Sequence, residues 1–243
     1  MLQLKKNISI QDFDGYTVII PSICVGNAAQ LACDLLISSK NLKRVGSIRH
    51  PALIPVYGPS AYQHEPQEKV AACELYASKE DKLLVFQFRS PFISRHIGDF
   101  HTELTKVVEK AAKVVILSGS FGFEKRIIEA CPYEYKASKN FQEVHEEQLK
   151  GMKWKEFQGE TIFGGGNALQ LFNVLEEKKI PVMLLFRYLL EGDNSTDASL
   201  IIKELSDLCD GFLGLKSDKG GIKLTVPVSW KLLFGNDIPE LIF

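Results

Sequence analysis

The sequence predicts an α/β protein with three layers, in which a mixed, largely parallel sheet lies between two layers of helices. Short apolar, β-branched runs alternate along the chain with amphipathic segments of helical period, as expected for this fold class. Two of these runs, "KVVILSGS" (113–120) and "PVMLLFRYL" (181–189), contain continuous apolar stretches at 114–117 and 181–186, which are typical of strands that are buried on both faces.

The first half of the chain predicts most of the strands. "YTVIIPS" (16–22) predicts a strand, and the apolar positions of residues 28–36 recur at helical steps, so a helix is expected after it, capped by Asn27. Four further runs have the length of strands and are separated by Pro, Gly or charged residues: "RVGSIR" (44–49), "LIPVYG" (53–58), "VAACELYAS" (70–78) and "KLLVFQFRS" (82–90).

The second half predicts parallel crossovers. A helix is expected from about Ser94, with Ile97, Phe100 and Leu104 on its apolar face, and the strand 113–120 follows it at once. After "YEYKAS" (133–138) a charged helix is expected from about Phe141 to Gly151. From residue 161 onward the pattern is turn, helix, strand 181–189, turn and helix.

Size and composition limit the classes of function. A chain of 243 residues is expected to form a single domain over 1–243, with an extended C-terminal tail from about 235 to 243. Because the formal net charge is −1 and the cations are scattered, no nucleic-acid partner is expected. The sequence contains neither an apolar run long enough to span a membrane nor a secretory signal, so we expect the cytoplasm and nucleus.

Metal and redox chemistry have little support in the sequence. The five histidines form no ligand cluster, and no cofactor is predicted. The five cysteines are far apart and lie in mostly apolar surroundings, which favours buried free thiols.

Two loops could carry chemistry. Gly164 to Asn167, "GGGN", lies between an extended run and a helix, where it forms either a phosphate loop or, as we favour, a tight turn. Ser118 and Ser120 come at the carboxyl end of a predicted strand, where ligands bind in open α/β sheets. The surrounding order lacks the G-x-S-x-G pattern of a serine hydrolase, and no histidine is an obvious partner.

A third segment has the spacing of a calcium loop. Asp193, Ser195, Asp197 and Glu204 would occupy its first, third, fifth and twelfth positions, but Ala198 stands where glycine is required. We favour the alternative in which Ser195 or Thr196 caps the following helix.

Three blocks, "PSICVGNAAQLACDLLISS" (21–39), "FGGGNALQLFNVLEEKKIPVMLLFRYLLEGDNSTDA" (163–198) and "VPVSWKLLFGNDIPELIF" (226–243), together resemble the proteasome assembly chaperone 2 family. The resemblance implies a chaperone without catalysis that forms a heterodimer with proteasome assembly chaperone 1. The pair would act on proteasome α subunits, promoting α-ring formation and preventing off-pathway α-ring dimers. The resemblance also implies a sheet similar to those of nucleoside-phosphorylase-like folds, and a nucleoside- or phosphate-binding enzyme of such a fold is the alternative.

The resemblance also gives the apolar C-terminus a role. In this family C-terminal tails are thought to enter pockets between α subunits, so Leu241, Ile242 and Phe243 are expected to be a docking tail. Ile242 departs from the tyrosine of proteasome-activator tails and lacks its hydroxyl. Upstream, Trp230, Leu233 and Phe234 are expected to anchor the core or an interface, as large apolar residues often do.

Overall fold

The computed structural model describes residues 1–126, 130–208, 215 and 223–232. Within these ranges nine strands form one sheet: β1 (Leu2–Leu4), β2 (Thr17–Pro21), β3 (Lys43–Ile48), β4 (Cys73–Ser78), β5 (Leu83–Phe88), β6 (Lys113–Phe121), β7 (Tyr133–Ala137), β8 (Lys155–Glu156) and β9 (Val182–Leu189). Five α-helices are present in the same ranges: α1 (Ala28–Lys40), α2 (Ile97–Val108), α3 (Lys139–Gly151), α4 (Ala168–Glu177) and α5 (Ser195–Leu208).

The sheet has the order β1-β3-β4-β5-β2-β6-β9-β7-β8. Its central strands β5, β2, β6 and β9 are parallel, while β1, β3, β4 and β5 pair antiparallel in turn and β7 pairs antiparallel with β9. Parallel strands need crossover helices on the sheet faces, and the helices after β2 and β5 supply them. The predicted α/β class and mixed sheet are therefore confirmed.

The alternating side chains of the strands build a core on each face. In β2, Ile19 packs into the core that contains α1, α5 and residues of α3, whereas Val18 and Ile20 pack into the core with α2 and α4. Successive strand residues point to opposite faces, so strands this apolar must be covered on both. The sheet is thus the middle of three layers.

Two local predictions are wrong. Residues 53–58, "LIPVYG", make only the isolated bridges Leu53–Phe92 and Gly58–Val70 rather than a strand. Pro55 lies in the middle of this run and has no amide to give to a ladder. Asn27 precedes α1 in a left-handed conformation, and its side chain makes no capping hydrogen bond.

A buried polar network joins α1 to the sheet. One carboxylate oxygen of Asp34 accepts hydrogen bonds from the Tyr62 hydroxyl (2.5 Å), the Gln87 amide (2.6 Å) and the Arg89 guanidinium (3.1 Å). Arg89 also donates to Glu74 (2.9 Å), whose pKa is raised by burial. Arg89 thus neutralises two buried carboxylates, those of Asp34 and Glu74, and the packing of α1 on β4 and β5 depends on this arginine.

His101, on α2, is the most deeply buried histidine of the described chain, with 2% of its surface exposed. Its Nδ1 atom has no hydrogen-bond partner within the described ranges, and it lines a cavity of about 20 Å³ beside Phe100 and Leu104. Burial lowers the pKa of His101 to about 4, because the charged imidazolium would lose its hydration.

This pKa makes a prediction for acid stability. The folded-state pKa lies below the value of about 6.5 in an unfolded chain, so the unfolded state takes up the proton first as pH falls. The stabilisation is complete above about pH 6.5 and is lost between there and pH 4. We expect wild type to lose on the order of 2–3 kcal/mol more than His101→Gln over this range in urea unfolding. Parallel pH profiles of the two proteins would contradict the prediction.

The described cysteines Cys24, Cys33, Cys73 and Cys131 are free thiols, and all but the half-buried Cys131 are buried, as predicted. Among the helices of the described ranges, none combines the length and apolarity needed to cross a bilayer.

Candidate protein-interaction surface

The predicted C-terminal residues are only partly described. Leu233, Phe234, Leu241, Ile242 and Phe243 lie outside the described residues. Trp230 belongs to a short 3₁₀ helix (Val228–Leu232), is half-buried and packs against the core on the α1 and α5 face.

Backbone contacts hold the segment before Trp230 against the fold. Thr225 donates its amide to the Ser39 hydroxyl of α1 (2.8 Å), and Ser229 donates to the Ala61 carbonyl (3.3 Å). The chain therefore reaches residue 232 along the α1 side of the molecule.

The glycine loop before α4 is filled by the protein itself. Gly164 and Gly166 have positive φ angles of 81° and 60°, which favour glycine. A Cβ atom on Gly166 would lie 2.3 Å from the Ile23 carbonyl oxygen, and one on Gly164 would touch the Phe121 ring at 3.1 Å. The glycines permit close packing of the loop against the ends of β2 and β6.

Several carbonyl groups of this loop and one of its amides are hydrogen-bonded within the protein. The Gly165 amide donates to the Ile162 carbonyl (3.0 Å), and the Gly164 carbonyl accepts from the Val25 amide (2.7 Å). The Ser118 hydroxyl donates to the Gly165 carbonyl (3.1 Å), and the Ser120 hydroxyl donates to the Phe163 carbonyl (3.0 Å). This geometry favours the tight turn over the phosphate loop.

Ser118 and Ser120 therefore fasten the loop to the end of β6. Ser118 is buried and also accepts a hydrogen bond from Ser22 (2.8 Å). In the part of the chain that the structure describes, neither hydroxyl is hydrogen-bonded to a histidine, so the nucleophile–base pair of a serine hydrolase is not formed there.

A matched pair of glycine variants tests the packing of this loop. Gly166→Ala combines a positive φ angle with a clash against the Ile23 carbonyl, so we expect a loss of at least about 1–2 kcal/mol in the free energy of unfolding. Gly98→Ala in α2, where nothing lies within 4 Å of the new Cβ, should instead gain about 0.5–1 kcal/mol. Chemical denaturation measures both. Equal stability of the two variants would refute the account of the loop.

The proposed calcium ligands point to separate partners. The Asp193 carboxylate accepts the Ser195 amide (2.9 Å) at the start of α5, Asp197 pairs with Arg187 (2.7 Å), and Glu204 accepts the Trp154 indole N–H (2.7 Å). No group of three or more potential metal ligands occurs among the described residues. The segment does begin a helix, as the favoured alternative predicts. The side chain that accepts an amide hydrogen bond at the start of this helix is that of Asp193, however, and not that of Ser195 or Thr196.

An apolar surface lies at the carboxyl ends of β6 and β9. Four large apolar residues lie at or next to these strand ends, and we name them the Phe123 surface: Phe121, Phe123, Phe163 and Leu190. The exposed fractions of Phe123 and Leu190 are both 77%, and that of Phe163 is 54%. Exposed apolar groups of this size are common at interaction sites when they cluster.

The neighbouring backbone holds the Phe123 surface in place. The rings of Phe121 and Phe123 stack with centroids 5.0 Å apart and planes 13° apart. The Phe121 amide donates to the Phe163 carbonyl (3.0 Å), and Phe121 pairs with Leu189 across β6 and β9, which places Leu190 next to Gly122. Phe121 therefore ends a strand and Phe123 lies in a short 3₁₀ helix (Gly122–Glu124), whereas Phe163 and Leu190 lie outside the helices and strands, beside them.

Sequence reasoning missed the Phe123 surface. Its signal is present in "SFGF" and "YLLEG", where apolar residues continue past the ends of strands into turns that are usually polar. A cleft of about 650 Å³ opens beside it, lined by Phe163, Tyr188 and several charged residues. Burial, together with Glu134, raises the pKa of Tyr188 to about 12, so its hydroxyl stays protonated at neutral pH.

Comparison with protein-family models identifies residues 18–210 as a match to the PAC2 family. The chain belongs to the PAC2 family. Among similar PAC2 proteins, "Proteasome assembly chaperone 2" of Danio rerio is 29% identical over 255 residues and that of Homo sapiens 28% over 257 residues, each alignment covering 97% of both chains. The resemblance noted in the sequence is thus confirmed.

Solved structures show the same PAC2 fold at lower identity. PbaA of Pyrococcus furiosus, described as an archaeal homolog of proteasome-assembly chaperone, superposes with a TM-score of 0.63 at 14% identity, over 81% of this chain and 78% of that chain. PbaB of the same organism, described as an archaeal proteasome activator, gives 0.60 at 14% identity over 90% of each chain.

Proposed function

We propose that this PAC2 protein is a chaperone for assembly of the 20S proteasome and has no enzymatic activity. The observation that carries the proposal is the full-length similarity to proteins named proteasome assembly chaperone 2, which covers 97% of both chains. The glycine loop supports the absence of catalysis, because its close packing against Phe121, Val25 and the Ile23 carbonyl accounts for its glycines without a bound phosphate.

The chaperone acts as a heterodimer with proteasome assembly chaperone 1 in the cytoplasm and nucleus, and it needs no cofactor. The pair promotes α-ring formation and prevents off-pathway α-ring dimers. We assign the Phe123 surface to the heterodimer contact, since two of its side chains are more than three-quarters exposed and the Phe123 ring is stacked on that of Phe121. Aromatic and aliphatic anchors of this kind dominate interface energies.

The C-terminal residues Leu241, Ile242 and Phe243 provide a second contact, with the α subunits. Three apolar side chains contribute too little alone for tight binding once the tail is ordered. Tethered to a folded surface that is already bound, the same residues act at high effective concentration.

Native mass spectrometry of complexes recovered with a tagged chain tests the proposal. The full-length chain is expected to bring down proteasome assembly chaperone 1 together with α subunits. A copy lacking Leu241 to Phe243 should keep the partner chaperone and lose most of the α subunits, because only the tethered contact is removed. Recovery of the full-length chain alone, or only with copies of itself, would contradict the chaperone function.

The second candidate function, a nucleoside- or phosphate-binding enzyme, has a separate test. A ligand that binds only the folded state must raise the melting temperature. We expect millimolar orthophosphate or a nucleoside to leave that temperature unchanged, since the Gly165 amide and the hydroxyls of Ser118 and Ser120 already have partners within the chain.

A further inference from the structure

A second pocket lies far from the Phe123 surface, beside β3 and the start of β4. In the sheet order, β5 and β2 separate these strands from β6. The pocket has a volume of about 830 Å³, within the range of pockets that hold small ligands or peptide side chains. Its walls come from β3, from the segment 49–57 and from residues 67–72, and none of the lining residues belongs to a helix.

The charges that line this pocket are unbalanced. Its one carboxylate, Glu68, is paired with Lys5 (2.6 Å) and Arg44 (3.2 Å), and Arg44 also lies 3.5 Å from Glu74. The other two lining cations, Arg49 and Lys69, have no carboxylate partner among the described residues.

The unpaired cations remain available to a ligand. Burial lowers the pKa of the lining His50, which is therefore neutral at pH 7 and adds no charge. Lys69 extends over the ring of Tyr57 with its ammonium 5.5 Å from the centroid, and Tyr57 is 72% exposed. The exposed ammonium group and the exposed aromatic ring together offer a bound ligand one polar and one apolar contact at the rim of the pocket.

Much of the remaining lining is apolar and stiff. It is formed by small or rigid side chains: Pro51, Leu53, Pro55, Val56, Ala71 and Ala72. The backbone hydrogen bond from Val70 to Gly58 (3.1 Å) ties together the two chain segments, 49–57 and 67–72, that supply most of the lining. Prolines and this bridge fix the shape of the pocket before any ligand arrives, which lowers the ordering cost of binding.

From this arrangement we infer that the pocket binds an extended acidic peptide segment of a partner protein. Carboxylates of the segment pair with Arg49 and Lys69, and its intervening apolar side chains lie on the proline and alanine wall. A free phosphate fits less well, because phosphate sites commonly converge backbone amides at a helix N-terminus, and none of the residues that line this pocket belongs to a helix. The inference is independent of the proposed heterodimer contact.

Fluorescence anisotropy with the full chain tests the inference. The probe is a short fluorescein-labelled peptide that repeats Glu-Leu-Glu-Gly, beside a matched peptide with Gln in place of each Glu. Wild type should bind the Glu peptide at least about tenfold more tightly than the Gln peptide, and the affinity should fall as salt is added. Arg49→Glu with Lys69→Glu should abolish this preference.

The control variant is Lys139→Glu with Lys178→Glu, which changes the net charge equally on exposed residues outside the pocket. It should bind like wild type. Equal loss of binding in both double variants would reduce the effect to net charge and overturn the inference. The absence of any preference for the Glu peptide would also overturn the inference. Displacement of the bound Glu peptide by millimolar phosphate at constant ionic strength would overturn it as well, because that result would assign the pocket to a small anion.

Discussion

Arg89→Met is expected to lower the free energy of unfolding by about 3–5 kcal/mol, a large share of the stability of an ordinary domain. The variant keeps most of the side-chain volume but leaves Asp34 without its cation and Glu74 with only Arg44, at 3.5 Å. Buried carboxylates that lose their cation cost far more than exposed ones. Urea unfolding monitored by tryptophan fluorescence measures the loss.

Two further measurements separate lost charge from lost packing. Burial already raises the pKa of Glu74 and the arginines oppose this, so removing Arg89 should raise it further. The deficit of the variant should therefore shrink as pH falls and Glu74 takes up a proton. Adding Asp34→Asn and Glu74→Gln should recover part of the stability, while Arg95→Met, on the exposed surface, should change little. A loss below about 1 kcal/mol for Arg89→Met would contradict the role of the network.

The second large effect is expected in binding rather than in folding. Phe123→Asp combined with Leu190→Asp should weaken the complex with proteasome assembly chaperone 1 on the order of 100-fold or more, because two apolar anchors are replaced by charges that a buried contact must desolvate. Surface plasmon resonance with the purified partner measures the change. Since both side chains are 77% exposed, the melting temperature of the free chain should stay near that of wild type.

Val144→Asp is the matched control for this variant. Val144 is 71% exposed on α3 and outside the Phe123 surface, so the same change of chemistry there should leave the affinity unaltered. If the double variant binds the partner as wild type does, the proposed assignment of the heterodimer contact to the Phe123 surface is wrong.

Much of the sheet could be predicted because its central strands are buried on both faces. The apolar runs that contain β6 and β9 have no other stable environment than the middle of a layered sheet. The run at 53–58 is similarly apolar, yet Pro55 prevents a continuous ladder of backbone hydrogen bonds. The segment instead lines the pocket beside β3 and the start of β4. Strand-like composition alone does not show whether a neighbouring strand is available to pair with.

The candidate sites were harder to predict because they depend on contacts between distant segments. Asp193, Asp197 and Glu204 have calcium-loop spacing, but the strand before them brings Arg187 to Asp197 and the fold brings Trp154 to Glu204. The Phe123 surface arises only when β6 and β9 become neighbours, which no local pattern reveals. The roles of Leu241, Ile242 and Phe243 rest on the family resemblance and stay predictions.

The short strands β1 and β8 at the two borders of the sheet limit how this protein can associate. β1 has three residues, and β8 consists only of the exposed, oppositely charged Lys155 and Glu156. Such borders are poor templates for adding another chain's strand, and natural proteins use them to avoid open-ended polymerisation. The proposed assembly function would bring this protein close to partly folded chains with unpaired strands, and short, charged edge strands disfavour joining such chains strand to strand.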